Sequence, residues 1–84
     1  MDGISDVDRR IIREIIVGYF ELFEDKAFTR DSVYHAVMTD PDMPKVGGKL
    51  AYVIQEFDAL LAYGTIENAG GDGRAQKFRI SSKG

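Results

Sequence analysis

The sequence contains no cysteine. That excludes a disulfide framework, a thiolate metal site and a cysteine nucleophile. No apolar run is long enough to cross a bilayer, and the opening MDGISDVDRR is acidic where a secretory signal is basic and then apolar. The expectation is a cytoplasmic protein with no membrane partner. Histidine occurs once, at His35, and neither a paired nucleophile nor a ligand cluster stands at a recognisable spacing. No enzymatic activity, metal or cofactor is therefore expected. A basic excess is missing too, since 11 Lys and Arg face 14 Asp and Glu for a formal net charge of -3.

Two glycine-rich stretches fail as ligand loops. GGKL at residues 47–50 is not a nucleotide phosphate loop, because Met43 stands where glycine is needed and Leu50 where Ser or Thr is needed. GGDGRA at residues 70–75 is not a calcium repeat, because Ala75 occupies the Asp position and the unit occurs once.

What is present fits one soluble domain. A chain of 84 residues, 44% hydrophobic, holds a single small core, with five Phe and four Tyr available to fill it. The ordered part is expected to cover residues 5–80, leaving SSKG at 81–84 as a frayed tail. The charge is unevenly spread: residues 1–25 carry 3 basic and 7 acidic side chains, residues 26–63 carry 4 and 5, and residues 64–84 carry 4 and 2. The acid lies at the front and the base at the back.

The first helix is expected from Ser5 or Asp6 to about Phe23, with SDVD supplying a cap and acids for the positive end of the dipole. Its apolar arc, from Val7 and Ile11 round to Phe20, is wider than one neighbour needs, so it predicts contact with two elements or with another chain. Ala27 and Phe28 form a short strand, and Thr29 caps a second helix through RDSVYHAVM. TDPDMPK, residues 39–45, is a loop because its two prolines and two Asp residues favour turns.

A third helix runs from about Gly48 to Tyr63, with Leu50, Val53, Ile54, Phe57, Leu60 and Leu61 on its inner arc. Tyr52, Gln55, Ala59 and Tyr63 form the expected outer stripe. Lys49 and Glu56 share a flank, and Asp58 lies near the other edge. Gly64 suits a left-handed cap, Ile66 starts a strand, and NAGGDG turns the chain into RAQKFRI. Phe78 and Ile80 point inward there, while Lys77 and Arg79 point out and Arg74 lies nearer the tip.

FTRDSVYHAV, KLAYVIQEFDALLAYGTIE and GGDGRAQKFRI, in that order, resemble the second helix, recognition helix and wing of a winged helix-turn-helix domain. The resemblance covers nearly the whole chain and implies a mainly α fold of three helices plus a small antiparallel β-hairpin. The family includes transcription regulators that bind double-stranded DNA and modules that bind proteins instead. In the first case the third helix enters the major groove and the wing follows the backbone. Lys45 and Lys49 then meet phosphates, Gln55 pairs with adenine, Ala59 touches a thymine methyl and Tyr52 serves either purpose. Arg74, Lys77 and Arg79 add sequence-independent affinity. Glu56 weighs against this picture, because a carboxylate in the groove repels phosphate. In the protein-binding case, the acidic front with Tyr52 and Tyr63 forms the contact surface. A homodimer through Val7, Ile11 and Phe20 is a further expectation, since two-fold pairing is common and DNA half-sites mirror it.

Overall fold

Ser5 begins the first helix, α1 (Asp6–Leu22), by accepting a hydrogen bond from the Asp8 N–H at 3.1 Å, with Asp6 and Asp8 in the first turn. Both features stabilise a helix start, the cap by about 1 kcal/mol. The computed structural model describes residues 4–81. Ile12, Ile16 and Phe20 recur every fourth residue and are the buried face of α1. The helix packs on both later helices, so its broad apolar arc is shared between two neighbours.

The first strand, β1 (Phe28–Thr29), starts one residue later than the sequence suggested. Thr29 ends it and also caps α2 (Arg30–Met38), its hydroxyl accepting from the Ser32 N–H at 3.3 Å. Val33 and Val37 are the buried pair of α2. The following loop is more than a connector. Asp40 accepts from the Asp42 N–H at 2.8 Å, a turn that carries Met43 into the core at 6% exposure.

The third helix, α3 (Lys49–Tyr63), is bounded at both ends by left-handed glycines, Gly48 with φ 69° and Gly64 with φ 85°. At the far end, Gly64 donates to the Leu61 carbonyl and Thr65 to the Leu60 carbonyl. A side chain at either position would adopt a conformation that costs about 1–2 kcal/mol. The chain then forms β2 (Ile66–Gly70), a single 3-10 turn at Gly73–Ala75, and β3 (Lys77–Ile80).

The sheet is antiparallel in the order β1-β3-β2, so β3 is central. Phe78 stands opposite Phe28 on one side and Asn68 on the other. Phe78 is buried, Ile80 half-buried, and Lys77 and Arg79 exposed, the alternation read from the sequence. The sequence had placed only a hairpin here; β1 adds a third strand through its pairing with β3.

Phe20, Phe57 and Phe78 are the largest fully buried side chains. Phe57 meets Phe78 edge-on with ring centroids 5.2 Å apart, and Phe20 lies 6.4 Å from Phe57. Burial contributes about 1.5–3 kcal/mol for each such ring, and edge-to-face geometry adds to that. The tail departs from expectation at its first residue. Ser81 donates its N–H to the Thr65 carbonyl at 2.9 Å and its hydroxyl to the Gly64 carbonyl. The rest of SSKG lies outside the described residues.

Candidate nucleic-acid interface

The outward face of α3 differs from the one read in the sequence. Val53, Glu56, Phe57 and Leu60 are buried, whereas Ala51, Gln55, Asp58 and Ala62 are exposed. The buried arc is turned toward Glu56 by about 50°, half the angle between successive helical residues. Leu50, expected inside, is 46% exposed, and Tyr52 and Ala59, expected outside, are half-buried. Tyr63 does project into solvent, at 80% exposure.

The cause is an ion-pair cluster between α1 and α3. Arg9 donates to Glu56 Oε2 at 3.0 Å and Arg13 donates through Nε to Oε1 at 3.0 Å. Arg9 also donates to Gln55 Oε1 at 3.2 Å and lies over the Tyr52 ring at 5.4 Å. One arginine thus contacts Tyr52, Gln55 and Glu56 on α3. Glu56, 5% exposed, is taken out of any groove contact and its charge is opposed twice.

Asp58 stays exposed but is paired once, with Arg30, which donates to its Oδ1 at 2.8 Å and to the Tyr34 hydroxyl at 2.6 Å. Its guanidinium lies 4.9 Å from the Phe57 ring centre and 5.3 Å from that of Phe78, so it ties the α2 start, the middle of α3 and β3 together. Partial burial alone would lower its pKa, but the hydrogen bonds to Asp58 and Tyr34 hold it above the ordinary value. Burial raises the Tyr34 phenol, against the opposing pull of Arg30.

On the hairpin, Arg79 donates through Nε to Glu67 Oε2 at 2.7 Å across a directly opposed strand pair. Its charge is largely answered within the protein. Lys77 opens β3 and Arg74 sits in the 3-10 turn at the tip, both exposed. The tip depends on Gly71, with φ 77°, where a Cβ would lie 2.4 Å from the Ala75 carbonyl oxygen. Lys45 is exposed in the loop before α3, and Lys49 is half-buried in its first turn. Among the described residues, Lys45, Lys49, Arg74 and Lys77 form no ion pair with a carboxylate.

No protein-family profile, curated protein or solved structure matches this chain. The fold and the distribution of charge therefore carry the functional reading. Phe20, expected at an oligomer interface, is fully buried in the chain's own core and has no surface to offer a partner. Val7 remains 65% exposed and Ile11 half-buried. Among the described residues no group of three or more His, Cys, Asp and Glu is placed to hold a metal, and no helix is long and apolar enough to cross a membrane.

Arg9, Arg13 and Arg30 were not singled out as site residues in the sequence. A signal for two of them existed. Glu56 falls with Val53, Phe57 and Leu60 in the i, i+3, i+4, i+7 pattern of a buried face, and a carboxylate there requires cations from whatever packs against it.

Proposed function

We propose that this chain is a DNA-binding domain of the winged-helix type, with α3 directed at the major groove and the β2–β3 hairpin serving as the wing. The carrying observation is the division of charge. The α3 carboxylates, Glu56 and Asp58, are answered by Arg9, Arg13 and Arg30, while four of the five basic residues expected at phosphates form no ion pair among the described residues.

The start of α3 supports this reading. Its first turn carries no acidic residue, its Gly48 cap supplies no side-chain acceptor, and Lys45 and Lys49 flank it. Free N–H groups and a positive dipole end favour a phosphate. The exposed face of α3 carries Ala51, Gln55, Asp58 and Ala62; the two alanines permit close approach to base edges, and the exposed Asp58 carboxylate on that face is paired with Arg30. Gln55 is oriented by Arg9 yet keeps one oxygen lone pair and its amide hydrogens, the set that reads adenine. Tyr52, half-buried beneath Arg9, positions that arginine; Ala51 and Ala62 replace Ala59 as the residues facing thymine methyls.

The test is fluorescence anisotropy on a mixed-sequence duplex across a salt series, comparing the natural chain with the variant K45A/K49A/R74A/K77A. Each lost phosphate contact reduces the salt slope by about 0.9, so four reduce it by roughly 3.6. R79A, whose charge is already opposed by Glu67, changes the slope by less than any of the four. No binding by the natural chain at low salt, or an unchanged slope in the fourfold variant, would refute the proposal.

A further inference from the structure

Along the other side of α1 runs an open groove of about 690 Å³, bounded by α1, the end of α2 and the loop that follows. Its apolar wall is Ile11, Ile15, Tyr19 and Leu22, and Leu22 is 74% exposed. Gly18 lies among them, and a Cβ built there meets nothing within 4 Å. The groove's charged members are Glu14, Asp40 and Asp42; no Lys, Arg or His lines it. None of the three carboxylates has an ion pair among the described residues.

We infer that this groove binds a cationic amphipathic helix from a partner protein. The stripe Ile11, Ile15, Gly18 and Leu22 follows helical spacing, and its length of about 16 Å matches about three turns of a helix laid along it. Gly18, without a side chain, lets the incoming backbone approach. The three carboxylates select lysine and arginine on the partner's flanks, and their charge disfavours a second copy of this chain. Symmetric pairing through the groove would set an identical trio of carboxylates against the first, in a chain whose formal net charge is already -3. The occupant is therefore apolar at i, i+3 or i+4, and i+7, with basic neighbours. This surface is separate from the one assigned to DNA.

A displayed library of random 16-residue peptides, selected against the purified chain, tests the proposal. The expected winners carry net positive charge and helically spaced apolar residues. Their affinity falls at least tenfold in both Gly18→Lys and the charge-reversed E14K/D42K variant, which keeps the Asp40 turn. Gly18→Lys keeps the natural thermal midpoint within a few degrees and the natural DNA affinity, which separates this groove from the DNA reading. Failure to enrich peptides, enrichment of acidic or unpatterned ones, or winners indifferent to Gly18→Lys would overturn it. Sedimentation showing a dimer that Gly18→Lys dissociates would assign the groove to a second copy and overturn it equally.

Discussion

The Arg9–Glu56–Arg13 cluster predicts an asymmetry that a simple count of ion pairs does not. The Glu56 side chain is 6% exposed, whereas those of Arg9 and Arg13 are 33% and 44% exposed. Replacing Glu56 by Gln removes the buried charge and leaves two arginines that turn into water. An amide oxygen still accepts one hydrogen bond, so the expected cost is about 1–2 kcal/mol. Replacing both arginines by Met keeps their aliphatic stems but leaves the carboxylate buried without an opposing charge. Breaking a buried pair in that direction costs about 3–5 kcal/mol, and partial exposure of the arginines places this case near 3. For a domain of this size, about 4–8 °C is lost per kcal/mol, so R9M/R13M melts roughly 12–24 °C below the natural chain. Adding Glu56→Gln to R9M/R13M should raise the midpoint again, because no buried charge is then left unanswered. Calorimetry or far-ultraviolet thermal melts on the four proteins measure the cycle. If R9M/R13M is no less stable than Glu56→Gln, or if the triple variant is no better than the double, burial of the carboxylate does not govern this interface.

Gly71→Ala should destabilise the hairpin tip by about 1–3 kcal/mol, since a non-glycine residue there combines strained backbone with overlap against the Ala75 carbonyl; faster amide exchange at residues 70–77 and weaker DNA binding through Arg74 are the expected readouts. Tyr34→Phe should remove a phenolate absorbance change that lags above the ordinary value of 10.0. Because the folded state holds that proton more tightly, the associated stability is present below pH 10 and declines as pH rises toward the raised folded value. A midpoint-versus-pH series that is identical for Tyr34→Phe and the natural chain would contradict that linkage.

Much of the architecture is legible in the sequence because local signals agree with the packing. Ser5 and Thr29 cap where capping residues are expected, and Gly64 ends α3 in the left-handed conformation its composition suggests. Period-two alternation places Phe78 inside and Lys77 and Arg79 outside. The errors have a common origin. Met43, in a proline-bearing loop, is buried by the Asp40 turn, a path that helical periodicity does not encode. Glu56 is polar in isolation and apolar in position. Treating it as solvent-facing turns α3 away from its true orientation and sends Tyr52 outward with it. Only the arrival of Arg9 and Arg13 from more than forty positions earlier makes its burial tolerable.

On the proposed DNA-binding reading, that long-range cluster joins stability to recognition. Arg9 holds Glu56 inside and touches both Tyr52 and Gln55, so the orientation of α3 and the pose of its expected base-reading side chain depend on one guanidinium. A change at Arg9 therefore acts on two properties. It unpairs a buried carboxylate, which weakens the whole fold, and it releases Gln55, which relaxes selectivity without removing a phosphate contact. The separation can be read from kind rather than size of effect. Loss of Lys45 or Arg74 weakens all DNA sequences alike and reduces the salt slope. Loss of Arg9, rescued in stability by Glu56→Gln, preserves the slope and narrows the gap between preferred and random duplexes. On the proposed DNA-binding reading, an internal ion pair is then the means by which α3 is aimed at the groove.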